Sequence, residues 1–178
     1  DTLDLNSTAL PHLDMTEMAA WMTPAEQRSS EQQQLAAISD NVIARIKAAD
    51  VIVLGVPMYN FGIPSQLKAL LDRIARAGIT FKYTEQGAVG LLDDKPVVVF
   101  ATRGGVYQGT PADSQTPFLQ SFLNFVGLKD VHFVYAEGLN MGTDAQQAAG
   151  FGYHARVGGV NALDVGVDEA FAGLERRG

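Results

Sequence analysis

Three short stretches carry residue types able to do chemistry, and each directly follows an apolar β-branched run. The first is Pro57-Met58-Tyr59-Asn60-Phe61, after "VIVLGV" (Val51 to Val56). The second is Thr102-Arg103-Gly104-Gly105, after "PVVVFA" (Pro96 to Ala101). The third is Ala136-Glu137-Gly138-Leu139-Asn140, closing "VHFVYAEG" (Val131 to Gly138). Together they suit a flat, electron-rich heterocycle. Asn60 offers a donor and an acceptor to a ring edge. Glycines let the main chain approach closely. Amides at Gly104 and Gly105 can stabilise negative charge developing on a reduced ring. A Ser/Pro helix start after Ile63 adds a positive dipole end nearby. Each residue also has a plainer use. Tyr59 and Phe61 can cap a core, a glycine pair can be a turn, Arg103 can be a surface charge, and Glu137 can be a solvated or capping carboxylate.

Other chemistries find no support. There is no G-x-G-x-x-G and no G-x-x-x-x-G-K-[ST], so neither a dinucleotide fingerprint nor a P-loop is present. No Ser-His-Asp arrangement falls on the strand ends. His12, His132 and His154 are scattered without metal-ligand spacing, so no metal site is expected. A formal charge of −7 argues against nucleic-acid binding, which needs a basic footprint. No apolar run is long enough to span a membrane. The sequence has no cysteine, which removes disulfides and thiolate metal sites and is compatible with a cytoplasmic location.

The elements that must position these stretches follow from the same sequence. A chain of 178 residues, 47% of them hydrophobic, is expected to form one domain with a sizeable core. Thr2, Leu3 and Leu5 read as the end of an edge strand, and residues 6–22 as a connecting loop. Thr23-Pro24-Ala25-Glu26 reads as a helix start with a capping box. Leu35, Ile38, Val42, Ile46 and Ala49 mark one apolar face of that helix. "VIVLGV" lacks alternation and predicts a strand covered on both faces. A helix carrying Leu67, Leu70, Leu71 and Ile74 follows and ends near Gly78. Ile79, Phe81 and Tyr83 alternate, which suggests a short extended arm or hairpin. "PVVVFA" is a second buried strand. Thr116 and Pro117 open a helix that Gly127 stops, and Val131 to Gly138 is a third strand. Parallel strands joined by helices make an open α/β sheet with right-handed crossovers. In such sheets ligands sit beyond the carboxyl ends of the strands, where all three stretches fall. From about residue 143 the tail is glycine-rich, with a short final helix expected around Asp168 to Arg176.

"PMYNFGIPSQLKALLDRIARAGITFKYTEQGAVGLL" and "TRGGVYQGTPADSQTPFLQSFLNFVGLKDVHFVYAEG", with their spacing, resemble the bacterial FMN-dependent NADH-azoreductases of the flavodoxin-like quinone reductase superfamily. The resemblance runs from about Asp1 to Gly142. It implies a flavodoxin-like sheet of strand order 2-1-3-4-5 with helices on both faces. It also implies a homodimer with FMN at the interface. Pro57, Met58, Tyr59, Asn60 and Phe61 would wrap the isoalloxazine, and Thr102, Arg103, Gly104 and Gly105 would meet its pyrimidine side. Phe61 and Phe125 from opposite subunits would wall a substrate slot, and Tyr107 would touch the ring or the substrate. The implied reaction is ping-pong: NADH or NADPH gives hydride to flavin N5, then a quinone or azo compound takes two electrons. The flavin carries that chemistry, so no side chain acts as a nucleophile.

The chain departs from the family pattern in two places. The strand, phosphate loop and helix with which the family begins do not precede Asp1, so the chain is expected to be N-terminally incomplete, and no phosphate-binding residue can be named. The glycine-rich tail does not resemble the family's alanine-rich last helix. Two other readings stay open: a flavodoxin-like one-electron carrier, and a cofactor-free remnant.

Overall fold

A computed structural model describes residues 1–8 and 10–143. The expected tail helix, with His154, lies outside the described residues. Element order is α1 (Met15–Met22), a 3-10 turn (Ala25–Gln27), α2 (Ser30–Ala48), β1 (Ile52–Pro57), α3 (Ser65–Ile74), β2 (Phe81–Thr84), β3 (Gly87–Gly90), β4 (Val97–Thr102), α4 (Gln115–Val126) and β5 (Val131–Ala136).

The three β-branched runs form one parallel sheet in the order β1-β4-β5. Register sets Pro57 beside Thr102 and Thr102 beside Ala136, so the three chemistry-bearing stretches leave the sheet at one rim. Each crossover runs through a helix, as parallel strands require. Val97, Val99 and Ala101 of β4 are buried on the face that α3 and α4 cover with Leu67, Leu70, Leu71, Ile74, Leu119, Leu123 and Val126. Among the described residues the helical layer lies on this one face.

Expectation and structure part in several places. Among the described residues β1 is covered on one face only, with Val53 exposed on the other, and it pairs with β4 alone. Thr2 to Leu5 form no strand; Leu3 and Leu5 instead pack against the core as loop residues. The expected loop at 6–22 contains α1, capped by Asp14, whose carboxylate accepts from the Glu17 amide. Helix α2 does not start at Thr23. Ser29 is its N-cap, with Gln32 completing the capping box, and Thr23 ends α1 by donating its hydroxyl to the Ala19 carbonyl. Helix α3 stops at Ile74, before Gly78, because the Thr80 hydroxyl takes the Ile74 carbonyl and receives the Arg76 amide.

Charges lock the helical layer together. The Arg73 guanidinium is fully buried and forms a fork with the Glu17 carboxylate at 2.8 and 2.6 Å, tying α1 to α3. Arg76 pairs with Asp40 of α2 and lies over the Trp21 ring. Lys95, ahead of β4, donates to the Ile46, Lys47 and Ala49 carbonyls and so caps the C-terminal end of α2.

Candidate functional site

The rim begins with a tight turn. Tyr59 and Gly62 exchange both amide–carbonyl bonds at 3.0 Å, with Asn60 and Phe61 between them at φ 49° and 68°. Two left-handed central residues make a type I′ turn. Asn tolerates that conformation, whereas Phe is strained by it. The Ser114 hydroxyl at the start of α4 donates to the Phe61 carbonyl and holds the strained residue. Tyr59, Asn60 and Phe61 are exposed, and the Asn60 carboxamide has no partner within the described chain. The turn is fastened to the second stretch by the Met58 amide, which donates to the Thr102 carbonyl at 2.8 Å. Phe61 meets the Tyr107 ring edge-on, centroids 5.7 Å apart.

The second stretch is shaped from below and from one side. Arg103 is not a surface charge: its guanidinium is fully buried and all five of its N–H donors are used. Nε donates to Gln115, Nη1 to Asp113 and Glu137, and Nη2 to Asp113 and Thr116. The group also lies 4.6 Å over the Tyr135 ring. Buried Gln115 passes the link on, its Nε2 donating to the Val56 carbonyl at the end of β1. Burial pushes the Asp113 carboxyl up, but the Thr116 amide, the Arg103 bonds and the Thr116 hydroxyl outweigh it and hold the group below its ordinary value.

The third stretch occupies the carbonyl side of that loop. The Leu139, Asn140 and Gly138 amides donate to the carbonyls of Arg103, Gly104 and Gly105, at 3.1, 2.9 and 3.0 Å. The Arg103 amide is taken by the Ala136 carbonyl. No group of Arg103 is therefore left over, while the amides of Gly104 and Gly105 have no partner among the described residues. A Cβ at Gly104 would sit 2.5 Å from Asn140 Nδ2, and one at Gly105 would sit 3.0 Å from the Tyr107 ring. A side chain at either position would have to displace the Asn140 carboxamide or the Tyr107 ring.

The structure thus brings together Pro57, Met58, Tyr59, Asn60, Phe61, Thr102, Gly104, Gly105 and Tyr107 at one rim, with Arg103 beneath it. It does not bring Phe125 there within one chain. Phe61 is tied to the start of α4 whereas Phe125 is near its end, a rise of about 15 Å, and the Phe125 ring instead lies 4.3 Å from that of Phe81 on the β2–β3 arm. Sequence reasoning missed Asp113, Gln115 and Ser114, and gave Glu137 no place in the site. Glu137 is neither solvated nor a helix cap: it accepts from Arg103 and from the Tyr107 and Gln108 amides. A cleft of about 670 Å³ opens beside the turn between α3 and α4, lined by Gly62, Ile63, Lys68, Ser114 and Phe118 among others. Asn60, Gly104 and Gly105 do not line it. No group of three or more metal-ligating side chains exists among the described residues, and no described helix is long and apolar enough to cross a membrane.

These donors fit the polar edge of a fused-ring cofactor such as FMN: an unpartnered carboxamide on one loop, two unpartnered amides on the other, exposed aromatics beside them. Comparison with known proteins points the same way. The family described as having a flavodoxin-like fold matches residues 1–156. An FMN-dependent NADH:quinone oxidoreductase of Alteromonas mediterranea is 64% identical over 147 residues, covering 83% of this chain and 74% of that one. One of the same name in Cellvibrio japonicus is 63% identical over 146 residues, covering 82% and 73%. Among solved structures, an FMN-dependent NADH-azoreductase of Bacillus anthracis in complex with FMN superposes with TM-score 0.72 at 30% identity, covering 83% of this chain and 74% of its own.

Proposed function

The chain belongs to the flavodoxin-like fold family, and on that premise we propose that it is an FMN-dependent NADH:quinone oxidoreductase that also reduces azo compounds. Relatives of that name at 64% and 63% identity, and an FMN-bound azoreductase of the same fold, support the assignment. The observation that carries it is the pair of amides at Gly104 and Gly105, unpartnered among the described residues, on a strip whose carbonyls at 103–105 are taken on the other side. Bound FMN supplies hydride acceptance from NADH and two-electron delivery to the second substrate. This chain's residues bind and orient it. Asn60 and the Gly104 and Gly105 amides meet the polar ring edge, Pro57, Met58 and Tyr59 line the approach, and Thr102 fastens the two loops. Phe61 and Tyr107 make an aromatic wall on which a flat substrate stacks.

The finer reading has donor and acceptor use that wall in turn, which gives ping-pong kinetics. The chain acts as a single domain in a cytoplasmic homodimer, and Phe125 of one subunit closes the slot over Phe61 of the other. Quinones are the physiological substrates, and azo dyes enter because a flat open slot does not exclude them.

The test is reconstitution. The purified protein mixed with FMN is expected to show a perturbed flavin spectrum and to oxidise NADH with a benzoquinone, giving parallel double-reciprocal lines. Flavin binding with a one-electron titration and no NADH oxidation would replace the enzyme with an electron carrier. No flavin binding at all would remove the function. Reduction of azo dyes but of no quinone would overturn the substrate order.

A further inference from the structure

One carboxylate oxygen at the rim does more than pair with a cation. Glu137 Oε1 accepts from Arg103 Nη1 at 3.1 Å and from the amides of Tyr107 and Gln108 at 2.9 Å each. The Glu137 side chain is only 13% exposed, and its anchor Arg103 is fully buried and saturated. The carboxylate therefore has a fixed address, set by a guanidinium that itself cannot move without breaking bonds to Asp113, Gln115 and Thr116. Its other two partners are amides of the loop that follows Gly105.

This loop is gripped twice. The Gly138, Leu139 and Asn140 amides hold the carbonyls of 103–105, and Glu137 holds the amides of 107 and 108. Val106 alone joins the two grips, so their spacing sets how the 103–105 strip is tilted, and the amides of Gly104, Gly105 and Val106 are unclaimed among the described residues. The same grip sets the Tyr107 ring, which lies close over Gly105 and edge-on to Phe61. Building on the FMN assignment, we propose that Glu137 is a positioning residue: the reach of its carboxylate, anchored on Arg103, fixes the loop curvature that presents the Gly104 and Gly105 amides as a preset donor pair to the flavin's polar edge. Donors fixed before the ligand arrives need no reorganisation when charge develops on the ring. Charge on residue 137 is secondary, because Arg103 keeps Asp113.

Two substitutions separate reach from charge. Glu137→Gln keeps an acceptor oxygen at full length and loses the charge. Glu137→Asp keeps the charge and draws the oxygens back by one methylene, out of range of the Tyr107 and Gln108 amides. Amide hydrogen exchange on the protein without FMN is expected to show Tyr107 and Gln108 protected in the wild type and in E137Q, and unprotected in E137D. With FMN, E137D is expected to bind about tenfold more weakly, in line with the loss of about one net hydrogen bond. The reduced flavin, whose charge develops beside these amides, is expected to lose a further tenfold, which lowers the two-electron midpoint by about 30 mV. E137Q stays within about twofold of the wild type on both measures. A residue with only a stabilising role would shift the denaturation midpoint of both variants and leave the potential of whatever flavin is bound unchanged. That result overturns the proposal, as does the reverse order with E137Q impaired and E137D intact. Wild-type protein that fails to bind FMN would overturn the functional reading itself, and this inference with it; wild-type binding with an E137D indistinguishable from it overturns the inference alone.

Discussion

Arg103→Lys is nominally conservative and here is expected to be severe. The guanidinium uses five donors in a planar fork, toward Gln115 Oε1, both Asp113 oxygens, Glu137 Oε1 and Thr116 Oγ1. An ammonium has three donors radiating from one atom, so at least two of the five bonds are lost. Gln115 is the most exposed to loss, because it is fully buried and its carboxamide also holds the Val56 carbonyl. A buried acceptor left unsatisfied costs about 1–3 kcal/mol. Gln115 Oε1 has no other donor, whereas the Asp113 and Glu137 oxygens keep Thr116, Tyr107 and Gln108, so one unsatisfied acceptor with the weakened bonds around it gives a destabilisation of about 2 kcal/mol. The assay is urea denaturation followed by far-UV circular dichroism, where the midpoint should fall while the slope m stays constant. Arg103→Met should cost more, since it leaves the Asp113 and Glu137 carboxylates without their cation. A loss below about 0.5 kcal/mol for Arg103→Lys would refute the reasoning, because that is the range of an ordinary surface substitution.

Other outcomes follow from the same geometry. Asn60→Ala removes an exposed carboxamide with no partner among the described residues, so it should weaken FMN binding by about 1 kcal/mol, roughly fivefold, in fluorescence titration, and it should also lower stability slightly because alanine suits φ 49° less well than asparagine. Phe125→Ala should change the ratio of quinone to azo turnover more than it changes flavin retention; the reverse pattern would contradict a slot shared between subunits. Asp113 is held below its ordinary value of 3.8, so its contribution is complete above about pH 4 and is lost as pH falls through the lower folded-state value. The urea midpoint of the wild type should therefore drop below pH 4, and Asp113→Asn, already lacking that contribution, should show a shallower acid slope.

How far the sequence could be read differs by element. The three parallel strands, the β2–β3 hairpin and both ends of α4 were legible, because β-branched runs, alternation and the Gly127 stop are local signals. The rim was legible for the same reason: each polar stretch directly follows a strand. Helix α1 was not, because its pattern is inverted. Glu17 and Ala20 face inward while Met15 and Met22 are exposed, so hydrophobic periodicity points to the wrong side. What buries Glu17 is Arg73, 56 positions away, and no window on the sequence contains both. Two capping boxes competed before α2, and Ser29 with Gln32 won over Thr23 with Glu26. Arg103 shows the limit most clearly. Its type read as a surface charge and the family resemblance set it against the flavin, yet Asp113, Gln115 and Glu137 lie 10, 12 and 34 positions on and turn its side chain inward.

That inward turn changes how the two loops should be understood. A rim built only of glycines and an exposed turn would be mobile, and mobile donors give little charge stabilisation, since they must reorganise at each turnover. Here the mobile residue types sit over immobile ones. Gly104 and Gly105 rest on saturated Arg103, and Asn60 and Phe61 on a turn closed by two bonds and held at Phe61 by Ser114. The left-handed backbone at Phe61 costs on the order of 1–3 kcal/mol and persists only because its surroundings over-determine it. That cost makes sense if it aims something, and the exposed Phe61 ring, edge-on to Tyr107, is what it aims. Glycine at 61 would relax the turn and stabilise it while deleting the wall. Strain, the aromatic wall and the free amides are thus three aspects of one arrangement, in which intrinsically flexible residue types that touch ligand are held in place by rigid ones that do not.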